Sequence, residues 1–279
     1  MARKRYKIGK ISELMGMTSE ALRYYEREGI VEPEKDPVSG YRMYTAWDLH
    51  ILIRIRMFRR YGLTLEESAY ALRNCDADCI DQILEEKAHD LEEKIREEER
   101  LLARLKKDRY SLKEAQKNIG KFKVEINPAM RFLDTQRSYS IIDEKTELYS
   151  KWIDKVPYVS SGGIFEFTAA EGELRYGLMI DEDQVKSLGG GFTEGAVAIP
   201  PQKCLVTFFE SGSEKELGPK MFLPAIDFLH EHNLEMAGDP FAKVRMMYAG
   251  ENEYYSLYQG WVPFEGDFCL CDPVSIEGA

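Results

Sequence analysis

The chain has 279 residues, 44% of them hydrophobic and 31% charged, with a formal net charge of −11. That length accommodates two ordinary cores, no run reaches the ~18 apolar residues a membrane span needs, and Cys75, Cys79, Cys204, Cys269 and Cys271 form no dense disulfide framework. The mean charge would exclude a nucleic-acid partner, but residues 1–60 hold 13 Lys/Arg against 8 Asp/Glu while residues 61–279 hold 25 against 41. A basic head suited to neutralising phosphates therefore precedes an acidic body.

Ile8, Ile11, Leu14 and Met15 share one face of a first helix, and Gly16-Met-Thr18 turns the chain into a second helix capped by Thr18. On that helix Ala21, Leu22 and Tyr25 are expected to face a core. Ser19, Arg23, Tyr24 and Arg27 are left on other faces, where hydroxyls, guanidiniums and phenols reach phosphates or base edges. Asp36-Pro-Val-Ser-Gly40 reads as a turn, and residues 41–44 alternate as a short wing-like ribbon. Thr45 caps a third helix with Ile51, Leu52, Ile55 and Phe58 inward and Arg54, Arg56, Arg59 and Arg60 as its basic remainder. Arg59 and Arg60 are candidates for phosphate contact.

Thr64-Leu-Glu-Glu67 is a capping box that starts a fourth helix running to about residue 74. Neither Gly nor Pro occurs from Leu63 to Ile119. After a polar break at residues 75–79, Ile80, Leu84, Leu91, Ile95, Leu102, Leu105 and Leu112 recur near a 3.5-residue spacing. A stripe that narrow suits one partner helix, and a helix this long outreaches its own domain, so a dimer-forming coiled coil is expected.

Tyr6-Lys-Ile-Gly-Lys, Ala21-Leu-Arg-Tyr-Tyr25, Gly40-Tyr-Arg-Met-Tyr44 and Tyr61-Gly-Leu-Thr-Leu-Glu-Glu67 together resemble the MerR family of bacterial regulators. The resemblance covers about the first 118 residues. It implies an antiparallel coiled-coil homodimer gripping a palindromic double-stranded promoter, with recognition-helix roles for Arg23, Tyr24 and Tyr25 and wing roles for Tyr41 and Arg42. It further implies that an effector-bound dimer kinks and untwists an overlong promoter spacer so that RNA polymerase engages both elements, which is indirect readout of deformable DNA. Thr18, Ser19, Tyr44, Arg59 and Arg60 complete the expected DNA-contacting set.

Gly120 ends the long helix, and the periodicity changes there. Strands are expected at residues 123–126, 129–134, 163–168, 174–180, 203–210, 244–248 and 254–261, and helices at 143–153 and 219–231. A strand, a helix and two strands, then the same again, describe a duplicated α+β domain with an antiparallel sheet. Tyr149-Ser-Lys, Ile199-Pro-Pro, the Gly218-Pro…Phe222 helix, Gly238-Asp-Pro-Phe241 and Trp261-Val-Pro263 resemble the gyrase-inhibitor-like effector domain of BmrR-like multidrug sensors. Such domains bind flat apolar molecules in an aromatic-walled cup, rewarded by stacking and cation–π attraction. The expected ligand-contacting residues are Tyr149, Trp152, Phe165, Glu166, Tyr176, Phe208, Tyr255 and Trp261. The resembling domains carry a carboxylate where this chain has Ala242, so the ligand's charge, cationic or neutral, stays open; Glu166 could replace that acid.

The expected architecture is α+β: a winged helix-turn-helix at residues 1–75, a dimerisation helix at 76–119 and an effector-binding domain at 120–279. The expected function is a ligand-responsive transcription activator in the cytoplasm, since no apolar signal core follows the basic start. No cofactor, metal site, membrane contact or catalytic residue is expected: the cysteines and the nearby His89 lack convergent ligand spacing, and no phosphate loop, nucleophile elbow or zinc-protease motif occurs. The rival readings are hydrolase-like activity in the second half and a thiol- or metal-sensing DNA-binding regulator.

Overall fold

The computed structural model describes residues 4–137, 140–167, 173–212, 217–251, 253–270 and 274–275. Cys271 and Thr168, the last residue of one expected strand, lie outside them. Contacts divide the chain into two compact units, Met1–Glu99 and Arg100–Ala279.

In the first unit, strand β1 (Tyr6–Lys7) leads into α1 (Ile8–Met15), α2 (Ser19–Arg27), β2 (Glu34–Lys35), β3 (Arg42–Tyr44), α3 (Ala46–Arg60) and α4 (Leu65–Asn74). Gly16 ends α1 at φ 58°, a left-handed conformation that glycine adopts without steric cost. Two residues later the Thr18 hydroxyl accepts the Ala21 amide at 3.1 Å and starts α2. These two adjacent signals set the tight helix-turn-helix. Full capping boxes, Thr45 with Asp48 and Thr64 with Glu67, begin α3 and α4. The core joins Ile11, Met15, Leu22, Ile30, Val31, Tyr44, Leu52 and Ile55. Leu14, expected inward, is 54% exposed. In so short a helix the core takes the i, i+4 pair Ile11 and Met15, and Leu14 lies to one side of it.

Helix α5 (Ala77–Lys117) runs 41 residues. The Asp76 carboxylate accepts the Cys79 amide at 3.0 Å, so the expected break is shorter than the sequence suggests. Cys75 and Cys79, which the sequence did not suggest as a pair, are joined by a disulfide. Ile80 packs beside Phe58, Leu63 and Ala71, whereas Leu91, Ile95, Leu102 and Leu105 are 49–60% exposed.

The second unit carries β4 (Lys121–Ile126), β5 (Met130–Arg137), β6 (Ser140–Ile141), α6 (Thr146–Ile153), β7 (Ser160–Glu166), β8 (Glu173–Asp181), α7 (Glu182–Ser187), β9 (Val197–Ile199), β10 (Lys203–Gly212), α8 (Leu223–Glu231), β11 (Glu235–Met236), β12 (Phe241–Ala249), β13 (Tyr254–Glu265) and β14 (Val274–Ser275). Its antiparallel sheet has the order β14-β4-β10-β13-β12-β7-β8-β5-β6. The run β5-α6-β7-β8 is repeated as β10-α8-β12-β13, and the copies meet where Ala242 of β12 pairs with Gly163 of β7. Helix α7 and strands β6, β9, β11 and β14 had no counterpart in the sequence reading, being too short to show a period.

Strand alternation sorts the second unit's core into two faces. On one, Phe165, Leu174, Leu205, Tyr258 and Val262 pack with Phe222, Ala225, Ile226 and Leu229. The same face continues into Leu133, Leu178 and Ile180 against Trp152, Val185 and Phe192. On the other, Phe132, Met179, Phe208, Phe241, Leu257 and Trp261 pack against Leu112 and Ala115 of α5. No helix among the described residues is long and apolar enough to cross a membrane.

Candidate nucleic-acid interface and aromatic core

Around α2 and the β2-β3 ribbon of the first unit, cationic and aromatic side chains face outward beside exposed acids such as Glu28 and Glu34. Arg23 and Tyr24 on α2 are exposed, and Arg27 lies 5.7 Å over the Tyr24 ring. Tyr41 is 60% exposed, with the Lys7 ammonium 5.0 Å above its ring. Arg42 is held by Glu26 at 2.5 Å, and that hydrogen bond, with the Glu26 charge, raises the guanidinium's pKa. The wing turn is set by Asp36, whose carboxylate accepts both the amide and the hydroxyl of Ser39, at 2.8 and 2.7 Å.

Other expected contacts are occupied within the protein. The Thr18 side chain caps α2, and the Ser19 hydroxyl meets that of Ser12 at 3.0 Å. Tyr25 is half-buried against the core. Tyr44 is fully buried, its hydroxyl without a hydrogen-bond partner; it supports the ribbon from beneath and is not on the surface. Burial raises its pKa. Arg56 donates to the Met15 carbonyl at the end of α1 at 2.6 Å, and Arg59 to the Leu63 carbonyl in the turn between α3 and α4 at 2.8 Å. Arg60 lines a groove of about 510 Å³ with Tyr61, Leu84 and Leu91. Lys7 and Lys35, outside the expected set, are aligned beside Met43 and Arg42 by the small β1-β3-β2 sheet. The lysine-rich start of the chain was the available signal.

In the second unit the expected ligand contacts divide between the two faces of the sheet, Phe165 and Tyr176 on one and Phe208 and Trp261 on the other. Phe165 and Tyr176 belong to an aromatic cluster around Ala242 and Gly260. The Phe165 and Phe222 rings meet at 4.9 Å, Phe209 meets Phe222 at 5.5 Å and stacks on Tyr258 at 5.3 Å. The Tyr176 and Tyr258 hydroxyls lie 3.4 Å apart, and burial raises the Tyr176 pKa. Phe208 and Trp261 lie on the opposite face. Trp152 is buried with Phe192, to whose carbonyl its indole donates at 3.0 Å, and Tyr149 is exposed on the same helix. Tyr255 stacks on Tyr248 at 5.9 Å. Glu166 is half-buried and pairs with Arg175 at 3.5 Å. Phe209, Phe222 and Tyr258 also belong to this cluster: strand parity, fixed by the register, turns Phe209 and Tyr258 into it, and the tight turn before α8 brings in Phe222.

The face toward α5 is electrostatically dense. Asp181 receives Lys243 at 2.7 Å and Lys107 at 3.0 Å. Burial raises the Asp181 pKa, but the charge and hydrogen bond of Lys243, then Lys107, hold it well below the usual carboxylate range. Arg245 lies 5.6 Å over Trp261 and hydrogen-bonds Gln259. Asp134, also buried, is ringed by Arg137, Lys145 and Arg175. Among the described residues no group of three His, Cys, Asp or Glu side chains is placed to hold a metal ion.

The sequence profile described as MerR HTH family regulatory protein matches residues 6–75. The HTH-type transcriptional regulator HmrR of Rhizobium leguminosarum bv. viciae is 36% identical over 96 residues, covering 32% of this chain and 73% of HmrR. The HTH-type transcriptional regulator CueR of Escherichia coli is 41% identical over 61 residues, 22% of this chain; the chain thus spans about half, 45%, of that relative's length. Among solved structures, EcmrR in a cryo-EM complex with DNA aligns over 93% of this chain and 99% of EcmrR, at 16% identity and a TM-score of 0.34.

Proposed function

Because the chain belongs to the MerR family of HTH regulatory proteins, we propose that it is a DNA-binding transcription regulator that works as a homodimer and answers to a small molecule held in its second unit. The observation that carries the DNA-binding part is the joint exposure of Arg23, Tyr24 and Tyr41 on α2 and the neighbouring ribbon, with the half-buried Arg42 beside them, in the one segment with a positive charge balance. Arg23 and Tyr24 suit base edges or phosphates, and Arg42, already fixed by Glu26, suits a phosphate. Dimerisation is supported by the exposed Leu91, Ile95, Leu102 and Leu105 on α5, an apolar stripe that a second copy of the helix would cover.

Selection of duplexes from a random pool tests this reading directly. Enrichment of a two-fold symmetric site is expected, and failure to enrich any sequence over heparin competition would reject it.

The effector part rests on the aromatic cluster of Phe165, Tyr176, Phe209, Phe222 and Tyr258, which is packed closed on itself; a planar aromatic molecule would enter at the partly buried Tyr176 and Phe209 and part these rings to stack on them. Ala242 contributes no charge to it, so a neutral ring suits it as well as a cation. A thermal-shift screen of cationic and neutral planar compounds should give hits that weaken in Phe209→Ala. An absence of hits would reject the aromatic effector, and hits insensitive to the substitution would move it elsewhere. A hydrolase reading is not favoured: Ala242 supplies no general base, and the relatives carry the names of transcriptional regulators. RNA polymerase engagement and promoter distortion would follow from the family mechanism.

A further inference from the structure

Where α5 crosses the second unit's sheet, five cations gather around two hydrogen-bonded carboxylates, with Glu125 acting on Arg245 from farther off. Arg104, 7% exposed, donates Nε to Asp108 at 2.9 Å and directs its other nitrogens to the Tyr158 carbonyl at 3.4 Å and the Ser160 hydroxyl at 3.5 Å. Lys107 and Lys243 share the single carboxylate of Asp181. Arg245 is bonded to a neutral amide and has no carboxylate within ion-pair distance among the described residues. Arg100, one turn before Arg104, donates to the Ser187 carbonyl at 3.4 Å. The carboxylates hydrogen-bonded to these five cations are Asp108 and Asp181. Burial lowers the Lys243 pKa, Asp181 pulls it back up, and Arg245 and Arg104 push it down again, leaving it at about 8. The cations of this cluster thus repel one another through the protein.

Beside them, between α5 and α7, lies a cleft of about 170 Å³ lined by Arg100, Arg104, Lys107, Tyr158, Gln184 and Ser187, with no carboxylate in its wall. At ~30 Å³ per water it has room for a group of several heavy atoms. Positions 100, 104 and 107 follow i, i+4, i+7 spacing, which puts two guanidinium forks and an ammonium on one stripe of α5. Guanidinium forks match the paired oxygens of carboxylate and phosphate, and the Gln184 amide adds a neutral donor.

We propose that this cleft binds a small oxyanion, a phosphate or carboxylate group, clasped between Arg100, Arg104 and Lys107 of α5 and the α7 side of the sheet. An anion there neutralises excess charge and ties α5 to the sheet beneath it. Only its consequence for transcription rests on the regulator reading; the binding itself does not.

The test uses the full-length protein in thermal-shift and calorimetric titrations with sodium phosphate and sodium benzoate, against sodium chloride at matched ionic strength. A saturable rise in melting temperature beyond that in chloride is expected with at least one of the two anions, and which one responds identifies the source of the oxyanion. Arg100→Gln should weaken the apparent affinity about tenfold, the order expected for losing one charge-assisted hydrogen bond. Lys107→Gln should act in the same direction. Lys151→Gln, on α6 and paired with Glu147 away from the cleft, should leave the titration unchanged. Phosphate and benzoate indistinguishable from chloride, or a response undiminished in Arg100→Gln, would overturn the proposal. DNA selection on the same preparation separates the two readings: loss of the anion response with DNA binding intact removes this site alone, and the reverse result removes the regulator.

Discussion

Replacing Asp181 by Asn tests the buried charge network beneath α5. The carboxylate is 9% exposed and faces Lys243, whose side chain is 1% exposed. Removing one partner of a buried pair costs about 3–5 kcal/mol, because the other charge stays desolvated and unpaired. The Asn side chain keeps one carbonyl acceptor for the ammonium, so the lower end, about 3 kcal/mol, is expected. For a unit of this size that lowers the melting temperature by roughly 6–12 °C. The pH dependence has a definite sign. The Asp181 pKa is held below its ordinary 3.8, so its contribution is complete above that pH and fades as pH falls toward the folded value; the gap between variant and native protein narrows in acid. Lys243 is lowered from 10.5 to about 8. Asp181 is what holds it that high, so in the variant Lys243 falls further and sheds its proton at lower pH; the part of the gap due to the charged ammonium is therefore full in mild acid and lost as pH rises toward 8. Calorimetric melts between pH 3 and 10 read both limbs. The double variant Asp181→Leu with Lys243→Met should recover most of the loss, since apolar side chains of similar volume replace a buried ion pair at little cost. A shift below about 2 °C in Asp181→Asn, or a double variant no more stable than the single one, would refute the reasoning.

Gly260 sits under the aromatic cluster, where a Cβ would lie 2.7 Å from Phe222 Cε1 and 3.0 Å from Phe209 Cε1; Gly260→Ala should cost about 1–3 kcal/mol by overpacking, read from urea unfolding, and a neutral result would show that the rings yield freely. For Asp134, burial raises the pKa but hydrogen bonds from Lys145 and Arg175 overcome it, leaving about 2 against a reference of 3.8. That difference is worth about 2 kcal/mol above pH 4, lost as pH falls toward 2. Asp134→Asn should therefore flatten the acid limb of the stability profile in circular-dichroism melts, and an unchanged limb would exclude this pair as its source. Arg23→Ala and Arg42→Ala should each weaken DNA binding in gel-shift titrations, and a residue that contacts phosphate should lower the slope of log affinity against log salt by about 1. An affinity and slope equal to the native protein's would remove that residue from the interface.

Much of the fold was readable along the chain because its signals act within a few residues. The αL turn at Gly16, the Thr18, Thr45 and Thr64 caps and the uninterrupted stretch after Leu63 mark helix ends through i to i+4 contacts. Alternation at positions such as Leu174, Tyr176 and Leu178 marks strands, and the repeated strand-helix-strand-strand order predicted a duplicated sheet. The charge division between head and body was likewise present in the composition.

Contacts between distant residues were decided by tertiary structure. Tyr44 lies in a motif rich in surface contacts, yet β3 pairs on both sides and turns its ring into the core. Trp261 and Phe165 both read as aromatic strand residues, but the register sends them to opposite faces of one sheet. Lys243 and Asp181 are 62 residues apart, and no periodicity connects them; their partnership exists because β12 and β8 both flank β7. Local propensity fixes which segments become helices and strands, whereas register and strand order decide which side chains share a face. That is why the elements of this chain were legible in its sequence, while the aromatic cluster and the cationic cleft emerged only once its strands were paired.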